Sequence, residues 1–490
     1  MFECERRDVL KYTGLAVTAG TVTTGSVAAE STATAETDDW SSVRGDAGNS
    51  GSVQGTHGPE APVAVDWAVD HGGQFAAVDG TIFLVADDGR VYAFDAADGA
   101  LEWDTAITLA DGTEPVDAVG SPMVADDTVY VTSTGERAAV TALDAASGER
   151  RWQNPDLGQA TNRTPIVANG LVFVVADQKL YALDADTGEQ RWQFDPEPMT
   201  LNDERERGDP LTRNAVAVAN GTVYATSNNR LFARDAETGA KQWTDSVDDR
   251  TASTFSGRPI AVEEGVAIVK AGTVTVLDAE TGDERATVAT DSVDVLADDR
   301  LYAMTEDERT EDERIDGDDD ERAIVAGYDW QTGNGTWQLF EHAVSFDALA
   351  VDAETVYAGF DARDETGVAA FDRDDGSRTW RLETDTAIRQ VAVVDGTVYA
   401  SGDGLFAIRG ENTDESESTA ESTDEVENTD ESPNEDAESA VEEASDARTE
   451  TDADDADETA DGAPGLTVGT GLVGGVLSLA VLRRIADRSE

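Results

Sequence analysis

The 490-residue sequence predicts an all-β fold, an eight-bladed β-propeller, and three observations carry that expectation. The first is a repeat of Asp, three residues, Gly, three residues and Trp. It occurs as Asp95-Gly99-Trp103, Asp144-Gly148-Trp152, Asp184-Gly188-Trp192, Asp235-Gly239-Trp243, Asp329-Gly333-Trp337 and Asp372-Gly376-Trp380. A further copy, Asp278-Gly282, has Ala286 where the indole belongs. Fixed spacing at intervals of roughly 40–50 residues means one supersecondary unit copied around or along an axis. The second observation is that each unit holds four short apolar runs and no sustained 3.6-residue period, which removes helical solenoids. The third is that the two ends of the repeat region supply complementary parts of one more unit.

The third copy, Arg163 to Trp192, shows the unit most cleanly. Thr164–Ala168 is followed by Asn169-Gly170, a two-residue hairpin signal with positive φ at both centres. Leu171–Val175 and Lys179–Leu183 are the second and third runs, and the Asp184…Gly188 turn leads into a fourth that ends on Trp192. An Asp side chain accepts from backbone N–H groups two residues on, and Gly takes the left-handed conformation other residues resist. The first hairpin recurs at Asp79-Gly80, Asn220-Gly221 and Asp395-Gly396. The Trp of the fourth strand is expected to bury its area against the neighbouring blade.

After the seventh copy, Ile388 to Gly410 supplies three strands and stops, with Arg409 in place of the turn Asp. Val63 to Val69 is an orphan strand carrying Trp67. Sharing one blade between the two ends would close the ring and leave no open sheet edge. With one blade lacking its Trp, the ring is expected to be weakest at blade five.

The segments "ALDADTGEQRW", "ALDAASGERRW" and "FDAADGALEW" resemble the repeat of PQQ-like β-propellers, which include quinoprotein alcohol dehydrogenases and non-catalytic BamB-like assembly factors. The resemblance covers roughly Asp39 to Gly410 and is specific to the fold group, not to an activity. For a quinoprotein it implies PQQ and calcium at the channel, with the cofactor packed against a vicinal disulfide. Cys4 is the only cysteine of the chain, so the sequence argues against that cofactor pair.

Outside the propeller (63–410) the chain divides into four parts. Residues 1–29 resemble a twin-arginine export signal: Arg6-Arg7, a mildly apolar stretch, then small residues to Ala29. Residues 30–62 are a lead-in. Residues 411–463 hold 23 acidic residues against Arg448 alone, the composition of a disordered stalk. Residues 464–490 hold 18 uncharged residues, Gly465–Leu482, followed by Arg483, Arg484 and Arg488. As a helix the apolar run would span about 27 Å, enough to cross a hydrocarbon core. This ending is similar to the sorting signal of haloarchaeal surface proteins, with Leu466 in place of that signal's Phe. The expectation is an exported chain, anchored in the membrane with its propeller outside and its C-terminus inside.

The net charge is −68, of which the stalk supplies −22; lysine is limited to Lys11, Lys179, Lys241 and Lys270. Acid excess with lysine depletion fits a halophilic protein, since in molar salt the Debye length falls to about 3 Å. Without a basic stripe, nucleic acid is excluded as a partner.

Tight turns between the first and second strands and between the third and fourth share one face. Length variation collects on the other face, at 104–119, 195–211, 244–255 and 305–322. Variable loops on a rigid scaffold are where binding specificity is placed. Counting back seven residues from the hairpin Gly lands on Arg163, Arg258 and Arg389, with Arg213 one position off. These four are the candidate ligand or partner site, a positive collar suited to carboxylates, sulfates or an acidic protein segment. The competing reading pairs each with a nearby loop Asp. Asp316, Asp318 and Asp320 alternate as in calcium loops, but Glu321 stands where the turn Gly is needed. No catalytic residue or metal ligand set is indicated; His57, His71 and His342 fit no triad or metal spacing. Asn162, Asn220 and Asn334 begin N-glycosylation sequons.

Overall fold

The computed structural model describes residues 39–411, apart from 54–56, 110–116, 134–138, 156, 159–163, 201–205, 215, 247–254, 263–264, 298–299, 307–322, 341–343 and 363–364. The export signal, the stalk beyond Glu411, the apolar C-terminal run and the Asp316–Asp320 set lie outside these residues. No helix occurs among the described residues.

Eight four-stranded antiparallel sheets make eight blades, with strands A to D running from the bore outward. Blade 1 is Gly73–Val78, Thr81–Ala86, Arg90–Asp95 and Leu101–Ala106. In blade 8, strands A to C are Gln390–Val394, Thr397–Ser401 and Leu405–Gly410, and strand D is Val63–Val69 from the other end of the propeller. The predicted closure therefore holds. The A–B hairpins also take the predicted form: Asn169 and Gly170 have φ of 53° and 70°, and Asp79, Asn220 and Asp395 repeat it.

One contact recurs at six of the eight blade junctions. A β-bulge interrupts the C–D pairing just before the strand D Trp, as at Ala93/Phe94 and Ala142/Leu143. Bulges re-aim side chains, and here the indole lies over the turn Gly of the following blade. A Cβ on Gly188 would fall 2.4 Å from the Trp152 ring, and one on Gly148 2.5 Å from Trp103. The indole N–H donates to the backbone beside that Gly, Trp152 to Ala185 O at 2.8 Å and Trp103 to Ala145 O at 2.8 Å. Strand B of the same blade supplies an aromatic ring that backs the indole, such as Tyr130 at 5.9 Å from Trp152. Trp67 repeats the whole arrangement, with the bulge, Tyr399 behind it, Gly99 beneath it and Ala96 O as acceptor.

Blade five departs in a compensated way. Both the strand B aromatic and the strand D Trp are alanine there, Ala267 and Ala286. Trp330, from the turn of blade six, lies 1% exposed in the gap, packed with Val276, Val288 and Leu301. Its N–H donates to Ala297 O at 3.2 Å. The expected weak point is filled from the other side.

Candidate functional site

The innermost strand of every blade has an unpaired edge facing the bore, and an unpaired edge must find partners. Residues 39–53 provide them. The amides of Ala77, Val124, Val218, Ala261, Leu296 and Val351 donate to the carbonyls of Trp40, Ser41, Ala47, Gly48, Ser50 and Gly51, at 2.8 to 3.0 Å. These acceptors serve blades 1, 2, 4, 5, 6 and 7 in order. Ala47 also packs against the blade 3 core beside Ala168. In blade 8, Gln390 instead turns its side-chain amide onto Phe75 of blade 1, accepting from the N–H at 3.0 Å and donating to the carbonyl at 2.8 Å. The chain then passes beneath blade 7, where Gly58 N–H donates to Asp352 at 2.8 Å and Pro59 O accepts from Trp380 at 3.0 Å. It ends as the closing strand.

The strap's composition explains how it fits. Trp40 is fully buried in the core shared by blades 7, 8 and 1. Gly48 lies so close to blade 5 that a Cβ would sit 2.0 Å from Ala261 O, and Gly51 has φ +71°. Asn49 takes a left-handed φ of 60° and donates to Val216 O at 2.8 Å. Every contact falls beside an A–B hairpin, so the strap closes the tight-turn end of the bore. The other end, among the B–C turns and D–A connections, remains the open face.

Two side chains rise from this floor. Arg44 is bonded to the Asp294 backbone and lies 3.4 Å from its carboxylate, tying strap to blade 6. Asp46 accepts from Ser50 N–H at 2.9 Å. Water reaches its carboxyl, but the surrounding walls push the pKa up from the ordinary aspartate range, against the lowering effect of Ser50.

At the open end, Arg389 pairs with Asp87 at 3.2 Å and Asp403 at 2.5 Å, joining blade 8 to blade 1. Arg213 is exposed. Arg163 and Asn162 lie outside the described residues, as does the side chain of Arg258. Strand pairing also corrects the register used to place Arg258. Ala261 pairs with Val266, and Gly265 opens strand B and accepts from Val262 N–H, so Gly265 is not the turn glycine of the hairpin. Counted from the strap-bonded amides, Gly257 takes the position of Arg389, and Arg258 falls one residue further on. Asn214 takes that position in blade 4 and donates to Gly257 O across the blade 4–5 gap.

The connection before blade 4 is pinned by a buried carboxylate that sequence reasoning did not single out. Asp209 accepts from Ser227 at 2.7 Å, Asn229 at 2.8 Å and Arg230 Nε at 2.5 Å. It was invisible beforehand because its partners lie 18 to 21 residues away in the B–C turn. The open face is also not free of tight turns. Asp177-Gln178 and Ala271-Gly272 are positive-φ pairs between strands B and C. Among the described residues, no group of His, Cys, Asp or Glu is arranged to hold a metal ion.

The family model described as "Outer membrane protein assembly factor BamB" matches residues 17–251, 116–311 and 228–450. Among curated proteins, a serine/threonine-protein kinase AfsK of Streptomyces griseus is 29% identical over 200 residues, covering 39% of this chain and 23% of the kinase. The quinohemoprotein alcohol dehydrogenase ADH-IIG of Pseudomonas putida is 34% identical over 143 residues, covering 26% of this chain and 19% of the enzyme. The chain thus matches about a fifth to a quarter of the length of these relatives. Among solved structures, BamB from Moraxella catarrhalis aligns with TM-score 0.51 at 17% identity, over 71% of this chain and 98% of BamB. Quinohemoprotein alcohol dehydrogenase from Comamonas testosteroni aligns with TM-score 0.59 at 15% identity, over 77% and 82%. At these identities the structural likeness carries the propeller fold, and the set contains enzymes and assembly factors alike.

Proposed function

We propose, on the premise that this chain belongs to the family of the outer membrane protein assembly factor BamB, that it is a non-catalytic binding or envelope-assembly scaffold. It is exported, anchored to the membrane by its C-terminal segment, and works with its propeller outside the cell. The observation that carries this reading is the strap. A bore filled at one end by the protein's own backbone, in register with six blades, leaves the opposite face as the surface for partners. That face combines variable connections with arginines in a strongly acidic protein, which suits a protein segment or small anion bearing carboxylates or sulfates.

The second reading, a quinoprotein dehydrogenase with PQQ and calcium, is raised by the quinohemoprotein matches. The residues do not fit it. The one cysteine, Cys4, precedes the Arg6-Arg7 pair, so no disulfide can back a quinone in the propeller. At the bore floor Arg44 already engages Asp294, and the strap backbone is hydrogen-bonded to the inner edges of six blades.

Incubating the full chain with PQQ and calcium in molar salt, then removing free quinone, separates the two readings. The scaffold reading expects no retained quinone absorbance and specific capture of an envelope protein through the open face. Stoichiometric quinone retention with dye reduction by an alcohol would replace it with the dehydrogenase.

A further inference from the structure

Three sequons are written in the chain, and the fold treats the two described ones differently. A transferase that modifies Asn must reach its side-chain amide and also bind the hydroxyl two residues on. At Asn220 the backbone is locked in the left-handed A–B hairpin with φ 47°. The hydroxyl it needs belongs to Thr222, which is 5% exposed and donates to Gln242 Oε1 at 2.8 Å. At Asn334 the situation is reversed. Asn334, Gly335 and Thr336 are all exposed on strand D of blade 6, Asn334–Phe340, whose outer edge meets no other strand among the described residues. Among the described residues the Asn334 amide donates only to the exposed Thr332 hydroxyl, at 3.1 Å, and the Thr336 hydroxyl makes no hydrogen bond.

We infer that Asn334 is an N-linked glycan acceptor of the folded protein and that Asn220 is not. This rests on the export reading, and on a twin-arginine route in which the chain folds before it meets the transferase. The donor is an oligosaccharide activated on a lipid phosphate. Asn334 Nδ2 forms a bond to the anomeric carbon while the bond from that carbon to the phosphate oxygen breaks. The lipid phosphate leaves with the electron pair and the amide gives up one proton. The fold places the glycan beside the Asp329–Gly333 turn, on the tight-turn side, where it leaves the open face clear. It also shields an exposed edge strand from pairing with another chain.

The test uses full-length protein from the cells that make it. Protease is added to intact cells to read surface exposure, and peptides of the purified protein are analysed by mass spectrometry for glycan on Asn334 and Asn220. The expected result is a surface-exposed chain with glycan on most Asn334 and none on Asn220. Asn334→Gln should remove that mass completely, and Thr336→Ser should retain it. A surface-exposed chain with bare Asn334, or with glycan on Asn220, overturns the inference and leaves export standing. A protease-protected chain with bare Asn334 overturns both.

Discussion

At residue scale the ring is held by a Gly meeting an indole, and the two costs of replacing that Gly can be separated. Gly188 has φ +71° and Trp152 against it, whereas Gly170 has φ +70° and nothing within 4 Å of a new Cβ. A left-handed Ala costs about 1–2 kcal/mol, and overpacking adds about 1–3 kcal/mol. Gly188→Ala should therefore destabilise by about 2–5 kcal/mol and Gly170→Ala by about 1–2 kcal/mol, measured by denaturant unfolding at constant salt. Equal losses would show that the indole yields freely. Trp330 provides the matching test for blade five. Its removal as Trp330→Ala should cost about 3–5 kcal/mol, the range for emptying a buried aromatic site; a change under 1 kcal/mol would mean the gap collapses around Ala267 and Ala286. The turn carboxylates set the acid response. The Arg285 side chain and Thr281 N–H hold Asp278 down at about 2, below its unfolded value near 3.9. A depressed folded pKa stabilises above the unfolded value, and that contribution is lost as pH falls through the folded value of about 2. The melting-temperature gap between wild type and Asp278→Asn should be present at pH 5–7, narrow as pH falls below about 4, and close only as pH falls through about 2. A gap that stays constant would exclude ionisation as its origin.

At the scale of elements, the blades were legible in the sequence because each carries its own turn chemistry. Asp, Gly and Trp at fixed spacing encode a turn, a bulge and an inter-blade contact together. Even the split blade could be read, since Trp67 stands alone without a hairpin before it. Residues 39–53 could not, because they form no regular element and their Gly, Ser and Asn content reads as linker. Their order comes from the inner strand edges of six blades, assembled only in the closed ring. Trp40, an indole outside the repeat, was the one available signal. The register of Arg258 was misplaced for a related reason: Gly265 imitates a hairpin glycine, and only strand pairing shows that it opens strand B. Deleting Val63–Val69 removes the closing strand together with its Trp67 contact to blade 1. The whole ring should lose stability, seen as a lower melting temperature in every blade by hydrogen exchange; an unchanged melting profile would rule out closure by this strand.

At the scale of the whole molecule, a net charge of −68 faces a ring whose two ends are joined through one strand. Self-repulsion works against closure in dilute buffer and is screened in molar salt. Lowering salt from molar to 10 mM should loosen the ring, with a melting temperature that rises continuously as salt is restored; full stability in dilute buffer would remove the halophilic reading. The strap seals one end of the bore, and the proposed scaffold function depends on that floor. Hydrogen exchange in molar salt at the amides of Ala77, Val124, Val218, Ala261, Leu296 and Val351 tests this most directly. Each donates to a strap carbonyl, so all six should exchange only on global unfolding in the intact chain and become fast together in Gly48→Val, which cannot seat against Ala261. Rapid exchange at these amides in the intact protein would mean that the bore is open at both ends and the strap is not its floor.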